Sequence, residues 1–222
     1  MSFIDFLNRY IDDNQETAIA SLQACLRIPS VKDDATIASG APFGQACADA
    51  LAYTLDLCAA AGMTTVNLEG YVGYAEFGPV DAPDHIALLG HLDVVPPGDG
   101  WTDGPWDAVV RDGRIWSRGA QDDKGPTFAG VHGAIALLQS GAELRHRIGA
   151  GLDQVVGPAA QHLPMLARVG AAVLLGDRER ADEDQHVAAF LDRHLGLDDR
   201  QRLVLVEAAI GLAVRLRIRA EI

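Results

Sequence analysis

Apolar side chains recur at helical spacing in three stretches of the chain. The first stretch stops before Pro29, which predicts a helix over the preceding residues. Its apolar positions are Phe3, Phe6, Ile11, Ala18, Leu22, Cys25 and Leu26. A second helix is predicted from about Gly44 to Ala61, ending at Gly62, and a third from Pro126 to Leu138, since proline is accepted in a first helical turn.

Short apolar segments between these helices have the length and residue types of strands. They read TTVNL (64–68), YVGYAEFG (71–78) and HIALLG (85–90). The segment WDAVVRDGRIWSRG predicts a hairpin that turns at Asp112-Gly113, because this dipeptide readily takes positive φ. Near the end of the chain, LAVRLRIRAEI (212–222) alternates apolar and charged residues, which predicts a strand with one solvated face.

Charge and composition narrow the classes of partner. The formal net charge is −13, which argues against nucleic acid and anionic membranes, because both attract basic surfaces. The first residues are acidic where a secretory signal is basic, and no apolar run reaches the length of a membrane span, so a cytoplasmic location is expected. The odd number of cysteines, Cys25, Cys47 and Cys58, predicts buried thiols and not a disulfide framework.

Composition changes near residue 148. Of the 13 aromatic residues, 12 lie before this position and only Phe190 lies after it, and both lysines also lie in the first part. We therefore expect two units, residues 1–148 and 149–222. The second unit contains a candidate helix at Ala181–His194, with Gly196 as its stop.

A histidine and an aspartate follow the predicted strand at 85–90. In α/β proteins ligands gather at the carboxyl ends of strands, which is where His91 and Asp93 would lie. A neutral imidazole is a good zinc ligand, and a carboxylate two residues on can fix its tautomer. A hydrogen-bonded pair without metal is the alternative interpretation of this short motif.

A second acidic motif follows the predicted hairpin. In SRGAQDDKGP (117–126), Asp122 and Asp123 stand side by side, and the hairpin returns them to the edge of the sheet that carries His91. A carboxylate that meets a histidine without a basic neighbour favours a divalent cation. The alternative is a solvated turn before a helix.

These motifs resemble those of a known enzyme family. LRIPSV, GHLDVVPPGDGW and RDGRIWSRGAQDDKGP, taken together, resemble the dinuclear zinc aminoacylase and dipeptidase family, which includes bacterial Xaa-His dipeptidase, carnosinase, succinyl-diaminopimelate desuccinylase and carboxypeptidase G. The Asp-Asp-Lys-Gly-Pro ending is most similar to the bacterial dipeptidase branch. The resemblance covers about residues 1–148. It implies an α/β fold, a three-layer domain with a central mixed sheet flanked by helices, here without the family's lid domain.

The resemblance also implies roles for individual residues. The residue matching His91 binds one zinc ion, the one matching Asp93 supports that histidine, and the one matching Asp122 bridges two metal ions. The peptide bond between Asp122 and Asp123 is expected in the cis form. The implied cofactor is Zn²⁺, with Co²⁺ or Mn²⁺ as substitutes; the family holds two ions, and one or none is the alternative for this chain.

The family also has a Glu-Glu pair in a DEETG-like turn, which supplies the general base and a metal ligand. The nearest candidate here is GLDQVVG (151–157), which has Gln154 and Val155 at those places; an amide cannot act as a base, and an isopropyl group cannot bind zinc. The acidic cluster ERADEDQH (179–186) is interpreted as a solvated helix face, and His146, His162 and His194 as surface residues.

Two functional hypotheses follow. The first is metal-dependent hydrolysis of a peptide or amide bond in dipeptides or small N-acyl amino acids. The second is a catalytically inactive or truncated remnant that acts as a scaffold or interaction module. The alternating strand at 212–222 would leave a free edge for pairing, which predicts a homo-oligomer through that strand.

Overall fold

The computed structural model describes residues 3–83 and 85–153, and it contains helices on a mixed sheet. In chain order the α-helices are α1 (Phe3–Leu26), α2 (Gln45–Ala60) and α3 (Lys124–Gln139). The strands are β1 (Thr64–Leu68), β2 (Val72–Phe77), β3 (His85–His91), β4 (Val109–Arg111), β5 (Arg114–Trp116) and β6 (Arg147–Asp153). A 3₁₀ turn (Asp34–Thr36) lies between α1 and α2.

The main sheet has the strand order β1-β2-β6-β3. The β1–β2 and β2–β6 pairs are antiparallel, whereas β3 and β6 run parallel, so the sheet is mixed. β6 is the last described element, and it enters between β2 and β3, which precede it in the chain. The β4–β5 hairpin forms a separate two-stranded sheet.

Helices α2 and α3 pack on one face of the main sheet, and α1 packs against α3. Alternate strand residues, among them Ala75, Ile86 and Ile148, share a buried apolar cluster with side chains of α2 and α3. Leu22, Leu51 and other residues form a second cluster that joins α1 and α2 to the site end of the sheet. The other face includes Leu89, whose exposed fraction is 48%, and the ion pair of Arg147 with Glu76.

The sequence-based elements agree closely with these bounds. The first two helices and the first three strands form where their patterns predict them. The hairpin turns at Asp112 and Gly113, which have φ of 53° and 71°. The third helix begins at Lys124, two residues before the predicted start at Pro126, and Asp123 is its N-cap residue. Pro126 therefore lies in the first turn, where its missing N–H is tolerated.

The α/β fold with a central mixed sheet is thus confirmed, and Cys25, Cys47 and Cys58 are buried free thiols as expected. The boundary at residue 148 stays a prediction, and β6 lies across it. The predicted helix at 181–194 and strand at 212–222 lie outside the described residues. In the part of the chain described here, none of the helices has the length and apolarity needed to cross a bilayer.

Candidate metal centre

His91 is the last residue of β3 and lies at the carboxyl edge of the main sheet. The parallel register pairs it with Asp153, the last residue of β6. Ser30, in the loop after α1, donates its hydroxyl to the carbonyl of Leu92 at 2.6 Å, and Val94 N–H donates to Ser30 O at 3.0 Å. These bonds fasten the segment after His91 to the LRIPSV motif, which explains why the motif accompanies the site.

The turn that carries Asp122 is held against the loop that follows β3. Arg118 donates from Nη2 to the carbonyl of Pro97 at 3.0 Å, and its guanidinium lies over the Trp101 ring. The main-chain N–H of Arg118 and the hydroxyl of Ser117 both donate to Pro105 O, at 2.8 Å each. The β4–β5 hairpin therefore returns the acidic motif to the edge that carries His91, as the sequence predicts.

The structure brings His91 and Asp122 together. His91 Nε2 lies 3.2 Å from Asp122 Oδ1, although the two residues are 31 positions apart in the chain. The imidazole is 21% exposed and the Asp122 side chain is 85% exposed, so the pair opens to solvent on the carboxylate side. The Asp122-Asp123 peptide bond is cis, as the resemblance implies.

Asp93 contacts the opposite nitrogen of the same imidazole. His91 Nδ1 lies 3.1 Å from the Asp93 main-chain oxygen and 3.3 Å from Asp93 Oδ1. The main-chain contact is the hydrogen bond, because Oδ1 is buried without a donor in hydrogen-bonding geometry. Since a carbonyl oxygen can only accept, Nδ1 carries a proton, and Nε2 is the nitrogen available to a ligand.

The charges around His91 favour a cation at Nε2. The Asp93 side chain raises the pKa of His91 to about 9; burial opposes the shift, and the charge of Asp123 adds to it. A neutral imidazole with its proton on Nδ1 would present a lone pair to the Asp122 carboxylate at 3.2 Å, which is repulsive. A proton or a metal ion at Nε2 removes this repulsion, so the contact between His91 and Asp122 is favourable when a positive charge lies at Nε2.

The donor pair fits zinc in chemistry and separation. A zinc ion bound tetrahedrally by an imidazole nitrogen and a carboxylate oxygen holds these two atoms about 3.3 Å apart, close to the observed 3.2 Å. Two ligands do not complete a zinc site. Within residues 3–83 and 85–153, no group of three or more histidine, cysteine or acidic side chains is placed to hold a metal ion.

Two neighbours of Asp122 have positions that the motif alone does not reveal. Asp123 points inward, and its Oδ2 accepts the main-chain N–H of His91 at 3.1 Å. Lys124 is fully buried and donates from Nζ to Cys25 O at 2.9 Å and Ile28 O at 2.8 Å. The sequence signal was only their place in the Asp-Asp-Lys-Gly-Pro motif, where a charged triplet is usually solvated.

The remaining candidates lie away from the site or outside the described residues. His146 precedes β6 and so lies at the opposite end of the sheet from His91, with its Nδ1 buried and without a hydrogen-bond partner. Gln154, Val155, His162, His194 and the cluster at 179–186 lie outside the described residues, and their interpretations stay predictions.

Comparison with known proteins supports the resemblance. Residues 87–151 match the family model described as Peptidase family M20/M25/M40, a range that contains both acidic motifs and His91. The protein named "Putative dipeptidase YtjP" of Bacillus subtilis (strain 168) is 44% identical over 134 residues, which cover 60% of this chain and 28% of that protein. A "Putative dipeptidase" of Staphylococcus aureus (strain USA300) is 37% identical over 129 residues, 58% of this chain and 27% of that protein.

Solved structures show the same fold. Human carnosine dipeptidase 1 superposes with a TM-score of 0.62 at 21% identity, over 78% of this chain and 41% of that chain. The dipeptidase Dug1p of Saccharomyces cerevisiae gives a TM-score of 0.62 at 20% identity, with the same coverage. This chain spans less than a third of the length of the curated relatives named above.

Proposed function

We propose that this relative of Peptidase family M20/M25/M40 is a metal-dependent peptidase that hydrolyses the peptide or amide bond of dipeptides or small N-acyl amino acids. The relatives named above are dipeptidases by name, and this supports a small peptide substrate. Zn²⁺ is the proposed metal, with Co²⁺ or Mn²⁺ as functional substitutes.

The observation that supports this proposal most directly is the approach of His91 Nε2 to Asp122 Oδ1. Two unlike ligand atoms from distant parts of the chain meet at a strand end, at a separation that is compatible with a shared zinc ion. A net charge of −13 also favours cations over anions as ligands.

His91 and Asp122 would hold the metal, and Asp93 would orient the imidazole through the Nδ1 proton. Zinc at such a site acts as a Lewis acid on the substrate carbonyl and makes water a usable nucleophile near neutral pH. The Asp93 main-chain carbonyl would accept the Nδ1 proton and so leave Nε2 free to face Asp122. The exposed side of Asp122 leaves room for a small substrate to approach from solvent.

Metal content and its dependence on single side chains test the site. Purified protein equilibrated with zinc is expected to bind the metal, and His91→Ala is expected to lose most of it. His85→Ala is the matched control, because His85 is an exposed histidine at the opposite end of the same strand. Wild-type protein that binds no zinc, cobalt or manganese, or a His91→Ala variant with full metal content, would contradict the assignment.

Turnover tests the reaction. A panel of dipeptides and N-acetyl amino acids should be cleaved by the metal-loaded protein, and a chelator should stop the cleavage. The alternative hypothesis, an inactive remnant acting as a scaffold, has no support from the comparisons. Metal binding without cleavage of any panel member would favour that alternative over the peptidase.

We also infer that the protein acts on small molecules in the cytoplasm, a reducing compartment in which buried thiols such as Cys25, Cys47 and Cys58 stay free. Association through the strand at 212–222 concerns residues outside the described ranges and stays a prediction. Size-exclusion chromatography with light scattering would test it, and a monomer at micromolar concentration would contradict it.

A further inference from the structure

We propose that Asp123 is a positioning residue, whose carboxylate binds the main chain of His91 and thereby holds the imidazole opposite Asp122. This inference rests on the proposed metal site, because its purpose is to fix one metal ligand relative to the other. It assigns a separate task to each of the two adjacent acids. Asp122 faces the metal position, and Asp123 faces the protein.

The contacts of Asp123 join two elements, β3 and α3. Its Oδ2 accepts the main-chain N–H of His91 at 3.1 Å, at the end of β3. The same oxygen accepts the hydroxyl of Thr127, in the first turn of α3, at 3.2 Å. The residue is partly buried, whereas the neighbouring Asp122 side chain is 85% exposed. One carboxylate oxygen therefore ties the strand that carries His91 to the helix that follows Asp122.

Asp123 occupies the N-cap position of α3 but does not cap that helix with its side chain. An N-cap aspartate normally accepts an N–H from the second or third helical residue. Here the N–H of Gly125, the second residue, donates to Gly119 O at 3.3 Å, and the third residue is Pro126, which has no N–H. The carboxylate is thus left available for His91 and Thr127.

The glycine before His91 is required for this contact. A Cβ added to Gly90 would lie 2.2 Å from Thr127 Oγ1 and 3.1 Å from Asp123 Oδ2. The main chain of β3 therefore approaches the first turn of α3 as closely as a residue without a side chain allows.

The positioning role needs a hydrogen-bond acceptor, not a negative charge. An asparagine at 123 can present its amide oxygen to the same two donors, whereas alanine cannot. If Asp123 instead bound the metal or acted by its charge, asparagine and alanine would be equally damaging. The pair of substitutions therefore separates positioning from ligation.

Metal affinity is the first measurement. Each variant is titrated with Co²⁺, and binding is followed by the visible absorption spectrum of the ion. We expect the Co²⁺ affinity of Asp123→Asn to lie within about threefold of wild type, and that of Asp123→Ala to be weaker by about tenfold or more, with an altered spectrum. Thr127→Val should give a smaller loss, and Thr127→Ser should retain wild-type binding. Asp56→Ala, which removes an exposed acid on α2, controls for the lost charge.

The second measurement needs no metal. The amide hydrogen of His91 should exchange slowly in the wild type and in Asp123→Asn, and faster in Asp123→Ala, as followed by two-dimensional NMR of the metal-free protein. Equal protection in all three proteins, or equal loss of Co²⁺ affinity in Asp123→Asn and Asp123→Ala, would overturn the proposal. Wild-type protein that protects His91 but binds no Co²⁺ would overturn the proposed metal site and leave the positioning contact standing.

Discussion

At the scale of single residues, the direction in which neighbouring acids point decides what each can do. Asp122 and Asp123 are adjacent and chemically identical, yet Asp122 faces His91 Nε2 and Asp123 accepts the His91 main-chain N–H. His91 is therefore held through its main-chain N–H and through both ring nitrogens, because Asp93 contacts Nδ1 and Asp122 contacts Nε2. Such support restricts the freedom of a ligand before the metal arrives.

Gly90→Ala should damage the site, because the new methyl group has no space. Its Cβ would meet Thr127 Oγ1 at 2.2 Å, so we expect a loss of about 1–3 kcal/mol in the free energy of unfolding and weaker metal binding. Gly133→Ala in α3 is the control, since a Cβ there has no heavy atom within 4 Å and alanine favours helix by about 0.5–1 kcal/mol. Chemical denaturation of both variants checks the contrast, and equal effects would contradict it.

At the scale of elements, the ends of α1 and α3 are held together by polar contacts inside an apolar interface. Lys124, at the start of α3, donates to the carbonyl of Cys25 in the last turn of α1 and to that of Ile28 just after the helix. Farther along α3, His132 Nε2 lies 2.8 Å from Ser21 Oγ on α1. Because Ser21 donates its own hydrogen to Ala18 O, the histidine must donate to Ser21, which requires a proton on Nε2.

Lys124→Met should destabilise the protein, because it leaves buried carbonyl oxygens without their donor. We expect a loss of about 1–3 kcal/mol in the free energy of unfolding by urea. Lys32→Met is the matched control, since Lys32 is exposed and forms its ion pair with the exposed Asp34, and its effect should stay below about 0.5 kcal/mol. A Lys124→Met variant as stable as the control would show that α1 does not depend on this contact.

His132 should make the metal-free protein less stable in mild acid. Burial lowers the pKa of His132 to about 4, from the ordinary value of 6.5, so the unfolded chain takes up the proton first as the pH falls. The resulting loss of stability begins near pH 6.5, grows towards pH 4 and amounts to at most roughly 3 kcal/mol. His91, with its raised pKa, contributes its own change only between pH 6.5 and about 9.

Urea unfolding between pH 7 and pH 4 checks this slope. His132→Gln retains a donor for Ser21 but does not titrate, so its unfolding free energy should fall less over this range. His85→Gln removes an exposed histidine and should keep the wild-type slope. Parallel curves for wild type and His132→Gln would show that His132 is not the source of the acid sensitivity.

At the scale of the whole molecule, the proposed metal ligands lie at the carboxyl ends of the main-sheet strands. β3 and β6 run parallel and end side by side, and the β4–β5 hairpin returns the acidic motif to the same edge. Helices α2 and α3 lie on one face of that sheet, α1 packs against α3, and side chains of the helices and strands together form the two apolar clusters described above. A ligand at this edge would therefore connect the strand layer to the start of α3.

Bound metal should stabilise the whole described unit. A ligand that binds only the folded state adds about 2.7 kcal/mol to the unfolding free energy at a concentration 100 times its Kd. We expect zinc to raise the Tm of wild type and of His85→Ala, a chelator to reverse the rise, and His91→Ala to show little response. A zinc effect of equal size in His91→Ala would indicate binding at another place.

The amino-acid sequence by itself determined the local features of this protein. Helices, strands and the hairpin at Asp112-Gly113 were predicted because apolar periodicity, proline positions and positive-φ residues act over a few residues. The sequence also predicted that His91 and Asp122 converge, because a hairpin between the two motifs brings the second motif back to the strand end that carries the first.

The tertiary structure alone decided the features that depend on distant residues. β6 (RIGAGLD) places Ile148, Ala150 and Leu152 at alternate, buried positions, but its two interior glycines give it a weak strand signal. It becomes a strand because it pairs with both β2 and β3. The sequence predicts that Asp123 and Lys124 are solvated charges. In the folded chain both side chains point inward, because Asp123 accepts the His91 N–H and Lys124 donates to carbonyls at and just after the end of α1. Local sequence cannot encode such contacts, because their free energy is gained only when elements far apart in the chain are packed together.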